Sequence, residues 1–230
     1  HDQKVIAHHE AGHAIVQALE KHADPLHKVS IIPRGPMGGA TFALPERDRI
    51  IYTMSYLLGT LKVTLGGRVA EEIYCGEISS GAQADIEQAT GIARSMVTQW
   101  GMTESLGFVH YGEERGGAFE LGFRNYSEDS AAKIDLEVKK IVDKAYEDTK
   151  SLILEYRAQG EAIAAALLKY ETLSGDEVNA LIRGESLDKP SVTDLLDGAI
   201  PTDVGKARPV SADIDPEVDM GGGDPLPQPS

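Results

Sequence analysis

A histidine-rich stretch near the start of the chain reads His8-His9-Glu10-Ala11-Gly12-His13-Ala14. It contains the pattern H-E-x-x-H, and positions four apart lie on one face of a helix, so His9 and His13 can direct imidazole nitrogens at one metal ion. Glu10 would stand beside that metal without occupying a ligand position. The arrangement is typical of zinc hydrolases, in which a glutamate takes a proton from a metal-activated water molecule.

The residues around the motif predict an amphipathic helix that ends at about Lys21. Apolar side chains recur there at helical spacing, at Val5, Ile6, Ala14, Ile15, Ala18 and Leu19. Gly12 in mid-helix costs about 1 kcal/mol relative to alanine. It indicates either that a group approaches the backbone or that a second helix packs closely. A helix with its histidines at a polar edge would also fit the bare motif.

A catalytic zinc site needs a third protein ligand, and the spacing alone leaves its identity open. The extended motif H-E-x-x-H-x-x-G-x-x-H is not present, because Val16 and Leu19 occupy its glycine and third histidine positions. The acidic candidates further along are Glu20, Glu71, Glu72 and Asp85. Asp85 falls in the first turn of a predicted helix, where a carboxylate also complements the helix N-terminus without any metal.

Further motifs follow in a fixed order: Lys28–Gly35, Leu44-Pro45-Glu46, Gly66-Gly67-Arg68-Val69-Ala70-Glu71-Glu72, Ser80-Gly81-Ala82, Ala84-Asp85-Ile86, Gly101-Met102 and Tyr170-Glu171-Thr172-Leu173. Together with H-E-x-x-H they resemble the C-terminal peptidase domain of FtsH, the membrane-anchored AAA+ zinc protease, over roughly residues 2–184. The resemblance implies a mainly α, helical zinc-metallopeptidase domain with a small β-hairpin near the active site.

The resemblance also implies roles for individual residues. His9, His13 and Asp85 match the family's zinc ligands, with one Zn²⁺ per chain, and Glu10 matches its general base. Glu71 and Glu72 then become residues that support the site or the fold, and Glu71 is the reserve candidate for the third ligand.

Activity and partners are likewise expectations from the resemblance. It implies a zinc-dependent endopeptidase that hydrolyses unfolded, tagged or damaged proteins within a homo-hexamer. ATP would be used only by an ATPase domain absent from this chain, which itself lacks the pattern G-x-x-x-x-G-K-[ST]. The expected location is the bacterial inner membrane, with the peptidase domain facing the cytoplasm, or a mitochondrial or chloroplast membrane. Membrane contact would come only through a segment absent from this chain.

The residues alone leave two other functions open, and it is the resemblance that favours the protease over them. A non-catalytic ring-assembly module has no reason to retain His9, Glu10, His13 and Asp85 together. A zinc hydrolase of small molecules would have a closed pocket beside the metal, whereas a protease would have an open groove along a strand.

Composition excludes some functions and compartments. The net charge is −15 and the pI about 4.8, which argues against nucleic-acid binding because phosphate recognition needs a basic face. The single cysteine, Cys75, excludes an internal disulfide and fits a reducing compartment. No run approaches the roughly 18 apolar residues needed to span a bilayer.

Periodicity predicts a mostly helical chain divided at residue 184. Beyond the motif helix we expect a hairpin of Val29–Pro33 and Ala40–Leu44. Helices are expected at about Asp48–Tyr74, Gln83–Trp100, Ser127–Tyr156 and from Gly160 to Tyr170, with a last short helix that starts at Thr172 or Ser174. On the fourth helix, Ile134, Val138, Ile141, Val142 and Tyr146 are expected to face the core, or alternatively a subunit interface.

Two segments suggest further roles. Gly39–Ala43 is a candidate edge strand for the substrate backbone, because its small residues permit close approach. Residues 185–230 form a separate acidic segment rich in proline and glycine, with seven of the chain's eleven prolines. Such a composition predicts a disordered tail.

Overall fold

The computed structural model describes residues 2–33, 38–45, 49–112 and 126–190. Its helices there are α1 (Asp2–Leu19), α2 (Met54–Ala70), α3 (Gln83–Thr98), α4 (Glu128–Glu155), α5 (Arg157–Tyr170) and α6 (Gly175–Ile182). Its strands are β1 (Leu26–Ser30), β2 (Ala40–Ala43) and β3 (Thr172–Ser174). A π-helical turn at Glu71–Cys75 and a 3₁₀ turn at Ser80–Ala82 connect α2 to α3. The prediction of a mainly α fold is confirmed. None of the described helices is long and apolar enough to cross a membrane.

Several predicted features lie outside the described residues. They are most of the hairpin connection, the loop residues 113–125 and residues 191–230 of the predicted tail. The division of the chain at residue 184 therefore stays a prediction.

The three strands form one antiparallel sheet in the order β2-β1-β3. The predicted pairing of β1 with β2 is confirmed, with Val29 opposite Thr41. The third strand was not predicted, because its three residues are too few to show a period. Ser174 ends that strand and caps α6 through a capping box with Glu177, so the expected helix start at Ser174 is correct.

The second helix begins later than predicted, at Met54 instead of Asp48. Thr53 is its N-cap, and the Thr53 hydroxyl accepts a hydrogen bond from the backbone N–H of Tyr56. The π-helical turn carries the helical path on to Cys75, and Gly76 then reverses it with a φ of 69°. The predicted end at about Tyr74 is thus confirmed.

Helices α1 and α2 cross with their backbones in contact. A Cβ atom on Gly12 would lie 2.4 Å from the carbonyl oxygen of Gly66, and one on Gly66 would lie 2.7 Å from the carbonyl oxygen of Gly12. Close helix packing is therefore the reason for glycine in the middle of the motif helix. The crossing places the face of α1 that carries His9 and His13 against the C-terminal half of α2.

The core surrounds α1, which packs against α2 and α5. Its fully buried side chains include Ala7, Ala11, Ile15, Val16, Ile163 and Leu167. On α4, Ile134 and Val138 are buried, and the other three predicted positions pack partly buried against the apolar clusters of α2 and α3. These α4 residues thus serve the core, as the first of the two interpretations expected.

Candidate metal centre

Three side chains from two helices converge on one point. The Nε2 atoms of His9 and His13 are 3.0 Å apart. One oxygen of Asp85, Oδ2, lies 3.2 Å from Nε2 of His9 and 3.4 Å from Nε2 of His13. The histidines project from successive turns of α1, and Asp85 projects from the first turn of α3.

The three atoms fit a tetrahedral zinc ion. Bonds of 2.0–2.1 Å in that geometry hold ligand atoms about 3.3 Å apart, which matches the three distances. A Cβ atom on Gly67 would lie 2.5 Å from Nε2 of both histidines, so glycine there keeps α2 out of the ligand position. Two nitrogens and one oxygen leave a fourth position for water or substrate, as catalytic zinc sites require.

The second ring nitrogen of each histidine, Nδ1, makes a hydrogen bond. Nδ1 of His9 donates to Oε1 of Glu71 at 2.7 Å, and Nδ1 of His13 donates to the carbonyl oxygen of Val63 at 2.8 Å. A proton held on Nδ1 leaves the lone pair on Nε2, where a metal would bind. Residues of α2 and the following turn therefore set the tautomer of both predicted ligands.

Glu71 lies behind His9 and not among the three converging atoms. It is 1% exposed, and its second oxygen, Oε2, accepts a hydrogen bond of 2.8 Å from the backbone N–H of Ser79. One carboxylate thus connects a histidine of α1 with the segment that leads into α3. This arrangement favours a supporting role for Glu71 over its role as reserve ligand.

The remaining acidic candidates have other partners. Glu72 accepts hydrogen bonds from the hydroxyl of Tyr146 at 2.6 Å and from Nζ of Lys150 at 2.9 Å. Glu20 pairs with Lys62 at 2.8 Å. Asp85 is therefore the carboxylate that the fold brings to the two histidines.

Glu10 lies next to this centre and is held by the sheet. The hydroxyl of Thr41 on β2 donates to Oε2 of Glu10 at 2.8 Å, and Glu10 is 6% exposed. A Cβ atom on Gly39 would lie 2.8 Å from the other oxygen, Oε1. The small side chains of this strand predicted a close approach of its backbone. They gave no sign of the hydroxyl contact, because no spacing rule relates two positions on different elements.

The three converging side chains, Glu10 and Glu71 line a groove of about 960 Å³. Strand β2 forms part of one wall, through Ala40, Thr41 and Ala43, and the start of α3 forms part of another. Exposed side chains such as Gln83, Glu87 and Gln88 line its rim. Within the described residues the site is thus a groove beside a strand, the shape expected of a protease.

A family model described as Peptidase family M41 matches residues 1–181. The chain belongs to this family. Membership confirms the predicted enzyme class, a peptidase. The predicted resemblance to the FtsH peptidase domain is confirmed as well.

Curated relatives agree with the M41 assignment. The chain is 48% identical to "ATP-dependent zinc metalloprotease FtsH 2" of Methylacidiphilum infernorum over 82% of its length. It is 47% identical to "ATP-dependent zinc metalloprotease FtsH" of Thermotoga maritima over 80% of its length, and 44% identical to the protein of that name in Chloroflexus aggregans over 97%. It covers 30%, 31% and 35% of these three proteins, so the chain spans about a third of their length.

In this M41 chain the surroundings of the centre favour a protonated His9 beside an ionised Asp85. Burial lowers the pKa of His9, but hydrogen bonds to Asp85 and Glu71 outweigh it and raise that pKa from 6.5 to about 9. Burial also acts to raise the pKa of Asp85, and its contacts with His13 and His9 nevertheless hold that pKa well below the ordinary range. Without a metal, His9 would therefore hold a proton at neutral pH that a bound cation must displace.

Proposed function

We propose that this chain is the proteolytic domain of an ATP-dependent membrane protease, and that it hydrolyses peptide bonds as a zinc-dependent endopeptidase. The observation that carries the proposal is the convergence of His9, His13 and Asp85, whose ligand atoms are at most 3.4 Å apart, with Glu10 beside them. His9, His13 and Asp85 are the proposed zinc ligands, and Glu10 is the proposed general base.

Zinc held by these three residues would supply Lewis-acid chemistry, lowering the pKa of a water molecule and polarising the scissile carbonyl. The carboxylate of Glu10 takes a proton from the attacking water and later gives it to the leaving amine nitrogen. The hydroxyl of Thr41 donates to Oε2 and so holds the carboxylate in one orientation. The groove walls orient the substrate, and the burial of Glu10 limits competing hydrogen bonds from solvent.

The substrate backbone is proposed to pair with the edge of β2. Within the described residues β2 pairs on one side only, with β1, and it lines the groove beside Glu10. A peptide in which an ester replaces the amide next to the scissile bond lacks one N–H donor. We expect it to be cleaved more slowly than the all-amide peptide. If each nearby amide is replaced in turn and every ester peptide is cleaved as fast as the all-amide peptide, edge pairing is contradicted.

The wider context is proposed from the relatives, whose printed names call them ATP-dependent zinc metalloproteases. Substrates would be unfolded, tagged or damaged proteins delivered by an ATPase domain, in a homo-hexamer. The proposed location is the bacterial inner membrane, with this domain on the cytoplasmic side. For the chain alone we expect cleavage of loose polypeptides such as casein, and not of stably folded proteins.

Zinc content and casein cleavage, measured on the same samples, test the proposal. We expect about one zinc per chain in the wild type, and loss of zinc and activity together in His13→Ala and Asp85→Ala. Glu10→Gln should keep its zinc while cleavage falls about 10²- to 10⁴-fold, the usual contribution of a general base. Lys139→Gln on exposed α4 is the matched control and should behave as wild type.

The outcomes separate the alternatives. Zinc and activity surviving in Asp85→Ala would return the third ligand to Glu71. Absence of zinc from the wild type would favour the ring-assembly module. Zinc binding with hydrolysis of small esters, but of no peptide or protein, would favour the small-molecule hydrolase.

A further inference from the structure

A polar recess adjoins the groove and has no part in the chemistry described so far. Its volume is about 340 Å³, and its walls include Lys21, His22 and Pro25 from the turn after α1. The other walls are Arg49 and Thr53 from the segment before α2 and Tyr56 from its first turn. Ala23 and Tyr56 line both the recess and the groove. A side chain leaving the groove at this point would therefore enter the recess.

Arg49 is held in place at the recess wall. Its guanidinium contacts Oδ1 of Asp24 at 2.8 Å and lies over the ring of Tyr56 at 4.1 Å. The Tyr56 hydroxyl donates to Oδ2 of the same carboxylate at 2.8 Å. A guanidinium carries five N–H donors, so this anchoring leaves donors of Arg49 for a ligand.

The charge of the recess is positive. Arg49 and the 8%-exposed Asp24 offset each other, and the nearby Glu20 is paired with Lys62. Lys21 adds an exposed positive charge, and no carboxylate lines the recess within the described part of the chain. An anionic group is therefore the ligand that these walls would attract, in contrast to the acidic character of the chain as a whole.

Strand β2 leads from the catalytic groups to the recess. Thr41 contacts Glu10 at one end of this path. Directly after β2, the N–H of Leu44 donates to the carbonyl oxygen of Pro25 at 3.0 Å, and Pro25 is part of the recess wall. Since a strand rises about 3.3 Å per residue, an extended substrate along β2 reaches the recess about three or four residues from the scissile bond.

We infer that the recess is a binding subsite for a carboxylate that the substrate carries about three or four residues from the scissile bond. Lys21 supplies charge, and Arg49 supplies oriented N–H donors. The ligand is an aspartate or glutamate side chain, or the terminal carboxylate of a short substrate. The inference rests on the proposed endopeptidase function and adds a preference within it.

A scan of fluorogenic peptides on the zinc-loaded chain tests the subsite. One peptide with an amidated C-terminus is varied to Glu, Gln or Lys at each of four positions on either side of the cleaved bond. We expect kcat/KM to favour Glu over Gln about five-fold at a single position, the effect of one half-exposed ion contact. The preference should shrink at 1 M salt, where charges are screened within about 3 Å.

Charge reversal assigns the preference to the recess. In Lys21→Glu the ratio of kcat/KM for the Glu and Gln peptides should fall to about one or below, and the Lys peptide should gain. Lys139→Glu makes the same charge change on α4, where Lys139 is 69% exposed, and should keep the wild-type ratio. Arg49→Lys keeps the charge without the planar donors, so its ratio should lie between those of the wild type and Lys21→Glu.

Each remaining result has a defined meaning. The same peptides are also tested with a free C-terminus. Faster cleavage of a free-acid peptide than of its amidated form, without a preference for Glu over Gln, would support the recess with a terminal carboxylate as its ligand. Equal kcat/KM for Glu and Gln at every position together with equal cleavage of the free-acid and amidated forms, or a preference unaffected by Lys21→Glu, would overturn the subsite while the endopeptidase function stands. Failure of the wild type to cleave any peptide would overturn the proposed function, and the subsite with it.

Discussion

Replacement of Gly67 by alanine tests the metal centre without touching any proposed ligand. The new Cβ atom would lie 2.5 Å from Nε2 of His9 and of His13, and 2.6 Å from a ring carbon of His9. Ordinary carbon contacts need about 3.5 Å or more, so the histidines or α2 must move by about 1 Å. Metal sites tolerate deviations of only about 0.2 Å in bond length.

The expected result is a loss of zinc affinity of at least about 100-fold, the upper end of what disturbing a ligand's supporting groups costs. This corresponds to about 3 kcal/mol of binding free energy. Zinc affinity is measured by competition with a chelating dye, and circular dichroism verifies that Gly67→Ala folds.

Gly91→Ala on α3 is the matched control, because a Cβ atom there meets nothing within 4 Å. It should bind zinc as the wild type does and gain up to about 1 kcal/mol of stability from helix propensity. A folded Gly67→Ala protein with wild-type zinc affinity would refute the assignment of the centre to the space in front of the two Nε2 atoms.

Three further predictions concern the surroundings of the centre. Thr41→Val should lower kcat about ten-fold with zinc content unchanged, since it removes the hydrogen bond to Oε2 of Glu10, and a bond of that kind contributes about 1.5 kcal/mol. Steady-state kinetics measures kcat, and metal analysis measures the zinc content. In the zinc-free chain, the free energy of unfolding should fall by at most about 3 kcal/mol as pH rises from 6.5 through about 9. The reason is that His9, with its raised pKa, stabilises the fold only while it is protonated. Urea titrations at several pH values measure this free energy. Gly12→Ala should destabilise the fold by about 3 kcal/mol, since its Cβ would lie 2.4 Å from the backbone and side chain of α2; thermal melting measures the loss.

Each of these predictions has an outcome that contradicts it. Thr41→Ser keeps the hydroxyl and should retain most activity, so an equal loss in Ser and Val variants would argue against the contact with Glu10. A zinc-free His9→Gln chain should lose the pH dependence, and the same slope in both chains would assign it to other groups. An unchanged melting temperature in Gly12→Ala would show that α1 and α2 can separate at little cost.

The parts of the site that follow a local rule were predictable from the sequence. His9, Glu10 and His13 lie within five consecutive residues of one helix, so their relative positions follow from the helix period alone. Asp85 comes from another helix, and spacing could not separate it from Glu71; only the order of motifs pointed to it. Thr41 and Gly67 contact the site across long stretches of chain, where no period applies.

The fold shows the same division. Long amphipathic helices were predicted to within a few residues, because their apolar stripes repeat over several turns. Strand β3 and the start of α2 were not predicted. The strand depends on its pairing with β1 and the helix start depends on the Thr53 cap, and each feature involves only three or four residues. For β3 the pairing continues just beyond the strand, where the carbonyl oxygen of Glu171 accepts a hydrogen bond from the N–H of Ile31.

The proposed zinc ligands come from helices that are far apart in the sequence. With a single cysteine, Cys75, the chain can form no internal disulfide, yet a zinc ion bound to His13 and Asp85 would close a long loop much as a disulfide does. At a free zinc concentration 100 times the dissociation constant, this cross-link would add about 2.7 kcal/mol to the free energy of unfolding. A chelator that removes the zinc ion would then abolish the activity and also the cross-link between α1 and α3.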